Sequence, residues 1–365
     1  MYFSKRFVYF CHRRVNISTV AYTTCMKIVF CGGGTAGHIT PNLALIDKLD
    51  AQMYYFGTNG MEKNLVKPYV ERGKIAQFVE ISAHKFRRKF TLSNLILPFQ
   101  MIADIGKAKK QLKDVAPTLV FSKGGYAALP VVIAASQLKI PIIVHESDQT
   151  VGLANKISAK LATEFLTAYP TKIPSKVVGA IIKEDVFGGN RQKGLTEMGF
   201  DGRKPVLTVF GGSLGAAALN NAILQNKSLS DRFDIFVITG KGKQIHCDFV
   251  HQTPFTNNIF DILAATDICL SRAGSNTLAE LTLANVPFVC VPLKSQSRGE
   301  QIKNAQWYAQ QGCCLFLDEQ NLPVRVVNAL SRAIDNRANI ICQQRKVAKQ
   351  IYGTDRVVEI INNYR

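Results

Sequence analysis

Several short stretches of this chain place glycines, a titratable ring or a carboxylate where an apolar run ends. The first is Cys31-Gly32-Gly33-Gly34-Thr35-Ala36-Gly37-His38-Ile39-Thr40-Pro41. Glycines let the backbone approach a ligand closely, and the N–H groups at a helix start favour an anion. Thr40 is placed as N-cap and Pro41 as the first residue of a helix through Asn42–Ile46. His38 then stands at the mouth of the loop. An imidazole can take a proton from a hydroxyl near neutrality; otherwise it only packs the loop. The spacing Gly32-x-Gly34-x-x-Gly37 also fits the dinucleotide fingerprint. That chemistry needs an acidic residue at the end of the second strand to hold ribose, and the run Gln52–Phe56 ends in Gly57-Thr58 instead.

Other stretches repeat the arrangement. Ser122-Lys123-Gly124-Gly125-Tyr126 follows an apolar run, with Lys123 offering a cation and Tyr126 a stacking face. His145-Glu146-Ser147-Asp148 gathers a histidine and two carboxylates that suit sugar or peptide polar groups, or that hold a catalytic histidine in place. One histidine beside two acids is a poor metal set. Gly211-Gly212-Ser213-Leu214-Gly215-Ala216 is a second phosphate-type loop. In Arg272–Glu280, Ser275 or Asn276 caps a helix that carries Glu280. Helix N–H groups for a diphosphate and an acid for ribose hydroxyls are what a nucleotide requires; a plain capped helix gives the same pattern. Gln301 and Asn304, three apart, share a helix face and either read sugar hydroxyls or face solvent.

These residues need rigid elements beneath them. Apolar runs at Lys27–Phe30, Gln52–Phe56, Ile75–Ile81, Thr118–Phe121, Pro141–Val144 and Glu164–Thr167 alternate with helical stretches such as Leu129–Leu138 and Val151–Leu161. This is the βαβ rhythm of a parallel sheet covered on both faces. It weakens from Pro170 to Lys204 and restarts at Pro205–Phe210, followed by Phe233–Ile238, Asp267–Leu270, Pro287–Val291 and Cys314–Leu317. The expected fold class is α/β, with two doubly wound parallel-sheet domains facing across a cleft. The expected boundaries are a basic extension 1–25, domains 26–180 and 181–345, and a C-terminal helix 346–365 that returns to the first domain. The extension, with Lys5, Arg6, Arg13 and Arg14, is either an upstream start or a loose basic tail. It lacks the apolar core of about 7–15 residues that a signal peptide needs.

Composition narrows the function classes. Hydrophobic residues make up 47% of the 365, enough for globular domains with real cores. The formal charge is +19, and it is uneven: residues 1–180 hold 24 Lys and Arg against 10 Asp and Glu, and the rest hold 21 against 16. The first half should face something anionic. In His84–Lys113, Lys85, Arg87, Arg88, Lys89, Lys107, Lys109, Lys110 and Lys113 surround Leu92, Leu95, Ile96, Leu97, Phe99 and Ile102. Such a segment is either an interfacial membrane patch or an amphipathic helix with a core side and a basic solvent side. Nine cysteines without metal-ligand spacing fit a reducing compartment and no structural zinc.

As an ordered set, Gly33–His38, Gly124-Gly125-Tyr126, His145-Glu146 with Gly152–Lys156, Gly211–Ala216, Arg272–Glu280 and Gln301 with Asn304 resemble the MurG family. These are peptidoglycan N-acetylglucosaminyltransferases of the GT-B fold, built from two Rossmann-like domains. The likeness runs from about Met26 to the C-terminus and is greatest to the low-GC Gram-positive form. It implies an inverting transfer of GlcNAc from UDP-GlcNAc to the MurNAc 4-hydroxyl of lipid I, giving lipid II, in cell-wall, cell-shape and cell-division biology. It implies catalysis by His38 with Glu146 as partner. The implied donor contacts are Lys183, Ser213, Ser275, Thr277, Glu280 and Gln301. The implied acceptor and phosphate loops hold Thr35, Gly37, Gly124, Gly125, Tyr126, His145 and Asp148. The Gly33–Gly37 loop would hold the acceptor pyrophosphate or line the donor cleft. Lys183 stands where the family has Arg, and Asp148 where many members have Asn, so those two contacts differ here. No cofactor and no obligatory metal are implied. The implied partners are membrane-borne lipid I, UDP-GlcNAc, an anionic phospholipid surface at His84–Lys113 and proteins of cell-wall synthesis and division, at the cytoplasmic face of the membrane, without nucleic acid. A relative with another lipid or small-molecule acceptor and a non-enzymatic nucleotide-sugar binder share most of these features.

Overall fold

The computed structural model describes residues 26–84, 93–212, 215–240, 242–293, 299–320 and 322–365, with the side chains of 93–96 outside the description. The first sheet contains β1 (Lys27–Cys31), β2 (Gln52–Gly57), β3 (Gln77–Glu80), β4 (Leu119–Ser122), β5 (Ile142–Glu146), β6 (Glu164–Thr167) and β7 (Lys176–Val177), in the order 3-2-1-4-5-6-7. The second contains β8 (Val206–Phe210), β9 (Asp234–Ile238), β10 (His251–Thr253), β11 (Ile268–Ser271), β12 (Phe288–Cys290) and β13 (Leu315–Phe316), in the order 10-9-8-11-12-13. Every pairing in both is parallel. The central strands are buried along their whole length, hence their unbroken runs of β-branched and aromatic residues.

The covering helices are α1 (Ala36–Lys48), α2 (Met61–Glu71), α3 (Ser93–Val115), α4 (Leu129–Gln137), α5 (Leu153–Ala159), α6 (Arg191–Met198), α7 (Ala217–Leu224), α8 (Leu229–Arg232), α9 (Ile259–Ala265), α10 (Ser275–Leu283), α11 (Glu300–Gln310), α12 (Leu322–Asp335), α13 (Arg337–Ile351) and α14 (Thr354–Asn362). Eleven strands are legible as apolar runs; β7 and β10 are not. Both are edge strands, one of two exposed residues and the other the polar triplet His-Gln-Thr.

In each sheet the winding reverses between the first and fourth strands, β1/β4 and β8/β11. Crevices at the carboxyl ends of such strands are where ligands bind in doubly wound sheets. The chain leaves the first domain near Ile182, whose N–H donates to Thr354 Oγ1 at 2.9 Å, and returns beside it through an Ala180–Tyr352 bridge. Helix α13 runs through the expected 345/346 boundary, so the return begins at Tyr352 rather than Lys346. The side chains of Val357, Ile360 and Ile361 on α14 then enter the core of the first domain. Lys48 of α1 grips both crossings, 2.9 Å from Glu184 and 2.6 Å from Asp355.

Candidate active site

Helix α1 begins at Ala36, more than a turn before the expected start, and Pro41 lies inside it. His38 therefore rides on the first helical turn. Its Nδ1 lies 3.1 Å from Thr35 Oγ1, and its N–H donates to the Thr35 carbonyl at 3.1 Å. Thr40 does not cap the helix; its hydroxyl donates back to the Ala36 carbonyl. Three buried side chains hold the loop from behind. Tyr55 OH donates to the Gly32 carbonyl at 2.8 Å, and Asn42 Nδ2 donates to that of Cys31 at 3.3 Å. Glu62, 1% exposed, accepts from the Gly34 N–H at 3.2 Å and from Thr58 Oγ1 at 2.8 Å. Sequence reading missed all three. An acid in the first turn of a helix such as α2 reads as an ordinary dipole partner, and nothing local shows that it points inward.

The loop after β4 lies against the first. Gly125 has φ +83°, and a Cβ there would sit 2.5 Å from the Gly33 carbonyl oxygen and 3.2 Å from His38 Nδ1. The two loops thus pack backbone to backbone at the switch point. The Tyr126 ring covers Gly34, and Gly124 faces the Asn155 amide. Lys123 is not a cation at the mouth of the loop. It is 1% exposed, and its Nζ donates to Ser147 Oγ at 2.5 Å. Burial pulls its ammonium down to about 8, against the raising effect of Glu146 and Asp148.

Two expected roles at the end of β5 change. His145 is fully buried with Nε2 bonded to the Gly179 carbonyl at 2.9 Å. Burial and then the Lys123 charge hold its pKa well below the usual imidazole range. It is a neutral core residue, enclosed away from any acceptor. Glu146 is not a partner of His38. Its Oε1 accepts from the N–H groups of Ser147 and Asp148, and its Oε2 from Gly152 N–H and Asn155 Nδ2, all within 3.1 Å. A carboxylate with four donors shapes a loop and has no lone pair to spare for base chemistry.

In the second domain Gly215 has φ +67° and sits against the Thr239 carbonyl, which fixes the loop before α7. Ser213 lies outside the described residues. Helix α10 starts at Ser275 and carries Thr277 and Glu280 within its first two turns. The half-buried Glu280 carboxylate has no hydrogen bond or ion pair to any described residue, and burial pushes it up to about 7. A carboxyl held neutral into this range costs stability once ionised. The cost is absent below about pH 4.5, grows as the unfolded chain ionises, and is complete above about pH 7. Glu280→Gln should therefore raise stability at pH 8 by about 1–2 kcal/mol, discounted for partial exposure, and leave it unchanged near pH 4. Thermal unfolding at the two pH values measures this.

The remaining donor candidates are Lys183, Ser275 and Gln301. Lys183 lies at the crossing, with Nζ 2.6 Å from Tyr69 OH and 3.2 Å from Asp47. Gln301 Oε1 accepts from the Leu293 N–H at 3.0 Å. Ser275 Oγ donates across the cleft to the Ser147 carbonyl. Asn304 is fully buried and also bridges the domains. Its Oδ1 accepts from Gln149 N–H and its Nδ2 donates to Asp148 Oδ1, each at 3.0 Å. Burial and then Glu146 push the Asp148 carboxyl up to about 6. Tyr169 and Tyr308 join hydroxyls at 2.7 Å across the same boundary. A groove of about 500 Å³ lined by Phe200, Asp234 and His251 lies at the opposite strand ends and carries none of these motifs. Among the described residues no three His, Cys, Asp or Glu side chains gather as metal ligands would.

Two facing domains of this topology, each opening with a glycine loop at its switch point, define a GT-B fold. Comparison with known proteins narrows the class. A glycosyltransferase family 28 N-terminal domain matches residues 28–167, and the C-terminal domain of that family matches 206–359. A Clostridium tetani protein named UDP-N-acetylglucosamine--N-acetylmuramyl-(pentapeptide) pyrophosphoryl-undecaprenol N-acetylglucosamine transferase is 38% identical, over 93% of this chain and 98% of its own. A Staphylococcus aureus protein of the same name is 39% identical, over 89% and 95%. The crystal structure of Acinetobacter baumannii MurG superposes with a TM-score of 0.70 at 24% identity, over 93% and 99%. The chain belongs to glycosyltransferase family 28.

Proposed function

We propose that this enzyme transfers N-acetylglucosamine from UDP-N-acetylglucosamine to the 4-hydroxyl of the MurNAc sugar of lipid I, forming lipid II. One observation carries the reading: 38% identity, spread over 93% of the chain, to a relative whose name states this donor and this acceptor. The chemistry is a single displacement. The bond from acceptor O4 to the anomeric carbon forms as the bond to UDP breaks, so an α-linked donor gives a β-linked product. His38 takes the acceptor proton, held in orientation by Thr35. The N-termini of α7 and α10, with Ser213, take the charge of the departing diphosphate. Glu280 accepts from the ribose hydroxyls beside Thr277, and Gln301 donates to the GlcNAc hydroxyls. The Thr35–Gly37 turn and the Gly124–Tyr126 loop hold the acceptor phosphates. Release of UDP measured with lipid I and with diacylglycerol tests the reading; turnover with diacylglycerol alone overturns it.

The acceptor's lipid requires the first domain to meet a membrane, and we place the enzyme at its cytoplasmic face. No described helix is long and apolar enough to cross a bilayer. Helix α3 is amphipathic, and its exposed apolar side chains support the membrane reading of His84–Lys113. Its C-terminal half packs Ala108, Leu112 and Val115 into the core, while Phe99 and Ile102 stand 73% and 68% exposed. His84 holds the buried Asp104 at 2.7 Å between the two halves. The cations Lys85, Arg87, Arg88 and Lys89 and the apolar Leu92, Leu95 and Ile96 lie outside the described residues or side chains. Two apolar side chains beside a basic helix suit an anionic surface. The double variant Phe99→Glu/Ile102→Glu should lower partitioning onto phosphatidylglycerol vesicles by about tenfold or more, read by sedimentation, with turnover of detergent-dispersed lipid I within about twofold of wild type.

A further inference from the structure

We infer that Asn276 is a positioning residue, reaching from the second domain to complete the His38 turn. The inference rests on the function proposed above and adds a residue to it. Pro41 lies inside α1. A proline inside a helix gives no N–H to the carbonyl four residues earlier, which here is Gly37, the peptide immediately before His38. The missing donor comes from the other domain: Asn276 Nδ2 donates to the Gly37 carbonyl at 3.3 Å.

The other end of the same amide is also engaged. Ser147 Oγ donates to Asn276 Oδ1 at 3.3 Å, and Lys123 Nζ donates to Ser147 Oγ at 2.5 Å. An ammonium is donor only. Ser147 must therefore accept from Lys123 and pass its own hydrogen on to Asn276, which orients the amide with its NH2 group towards Gly37. Donation runs in one direction, from Lys123 to Ser147 to Asn276 to Gly37, through residues 123, 147, 276 and 37 of two domains. Asn304 and Ser275 pin the same Ser147–Gln149 segment, so the amide arrives in a defined register. Aspartate at 276 would turn an acceptor towards the Gly37 carbonyl, and leucine would offer nothing. Asn276 is half-buried at the start of α10, so its replacement disturbs little of the core.

The test uses Asn276→Leu, Asn276→Asp and Ser147→Ala in the full chain. Both Asn276 variants should lose about 10- to 50-fold in kcat with lipid I, while the Kd for UDP stays within about twofold and the melting temperature is unchanged. A merely structural role would move the last two with kcat. Adding Ser147→Ala to Asn276→Leu should lower kcat no further, because both break one relay. An Asn276→Leu kcat within twofold of wild type, or losses that multiply in the double variant, overturns the inference. A fluorophore pair, one dye per domain, gives a readout that needs neither substrate: in the ligand-free protein the interdomain distance should be longer or more widely spread in Asn276→Leu than in wild type. Wild-type protein inactive on lipid I would defeat the proposed function alone. The relay is then judged on distance, and equal distances in the two ligand-free proteins overturn it.

Discussion

Replacing His38 with alanine is expected to lower kcat for GlcNAc transfer by about a thousandfold, within the range that a positioned general base contributes. UDP binding should stay within about twofold, because the ring lies on the first domain and the proposed nucleotide contacts lie on the second. The size of the effect follows from how firmly the ring is placed. Its backbone N–H and Nδ1 both meet Thr35, and Gly125 packs against Nδ1 with no room for a methyl group. Thr35→Ala should cost less than His38→Ala, since it removes the orientation of the base and not the base. Steady-state kinetics with saturating UDP-GlcNAc and varied lipid I reads both. A His38→Ala enzyme within tenfold of wild type would assign the ring to packing.

Gly125→Ala is expected to damage fold and activity together. The left-handed backbone costs alanine about 1–2 kcal/mol, and its Cβ would stand 2.5 Å from the Gly33 carbonyl oxygen. Backbone on both sides leaves neither loop able to yield cheaply, so the total loss should reach about 2–4 kcal/mol. Any relief shifts Gly33 or His38, and kcat should fall by about a hundredfold or more. Gly73 is the control. It has φ +71° with nothing within 4 Å of its Cβ position and lies away from the cleft. Gly73→Ala should cost only the backbone strain and leave kcat unchanged. Thermal unfolding beside kinetics separates the two; equal melting temperatures for the variants would contradict the back-to-back packing of the loops.

The frame of this enzyme was legible because its physics is local. Strands buried on both faces spell themselves out in runs such as Val206–Phe210, and glycines mark where those strands end. Strand β10 was not legible, since a polar edge strand has no apolar pattern. The site divides along the same line. The glycine turns at the strand ends were legible because glycine is a local requirement, and the acid on α10 because a helix start with an early carboxylate is a local pattern. The roles of His145 and Glu146 depended on which way a side chain turns, into the core at Gly179 or into its own loop, and sequence spacing is silent on that. Glu62, Lys123, Asn276 and Asn304 act across 24 to 239 positions of chain. The first two find their partners within the first domain and the last two across the domain boundary, and sequence spacing shows none of these partners.

The most direct test of the account is the linkage in the product. Purified enzyme given UDP-GlcNAc and lipid I should yield lipid II carrying a single new GlcNAc, with its anomeric proton in the β configuration by NMR, and His38→Ala should make the same product far more slowly. An α-linked product, or GlcNAc recovered on another acceptor while lipid I stays untouched, would contradict the single displacement between these two loops.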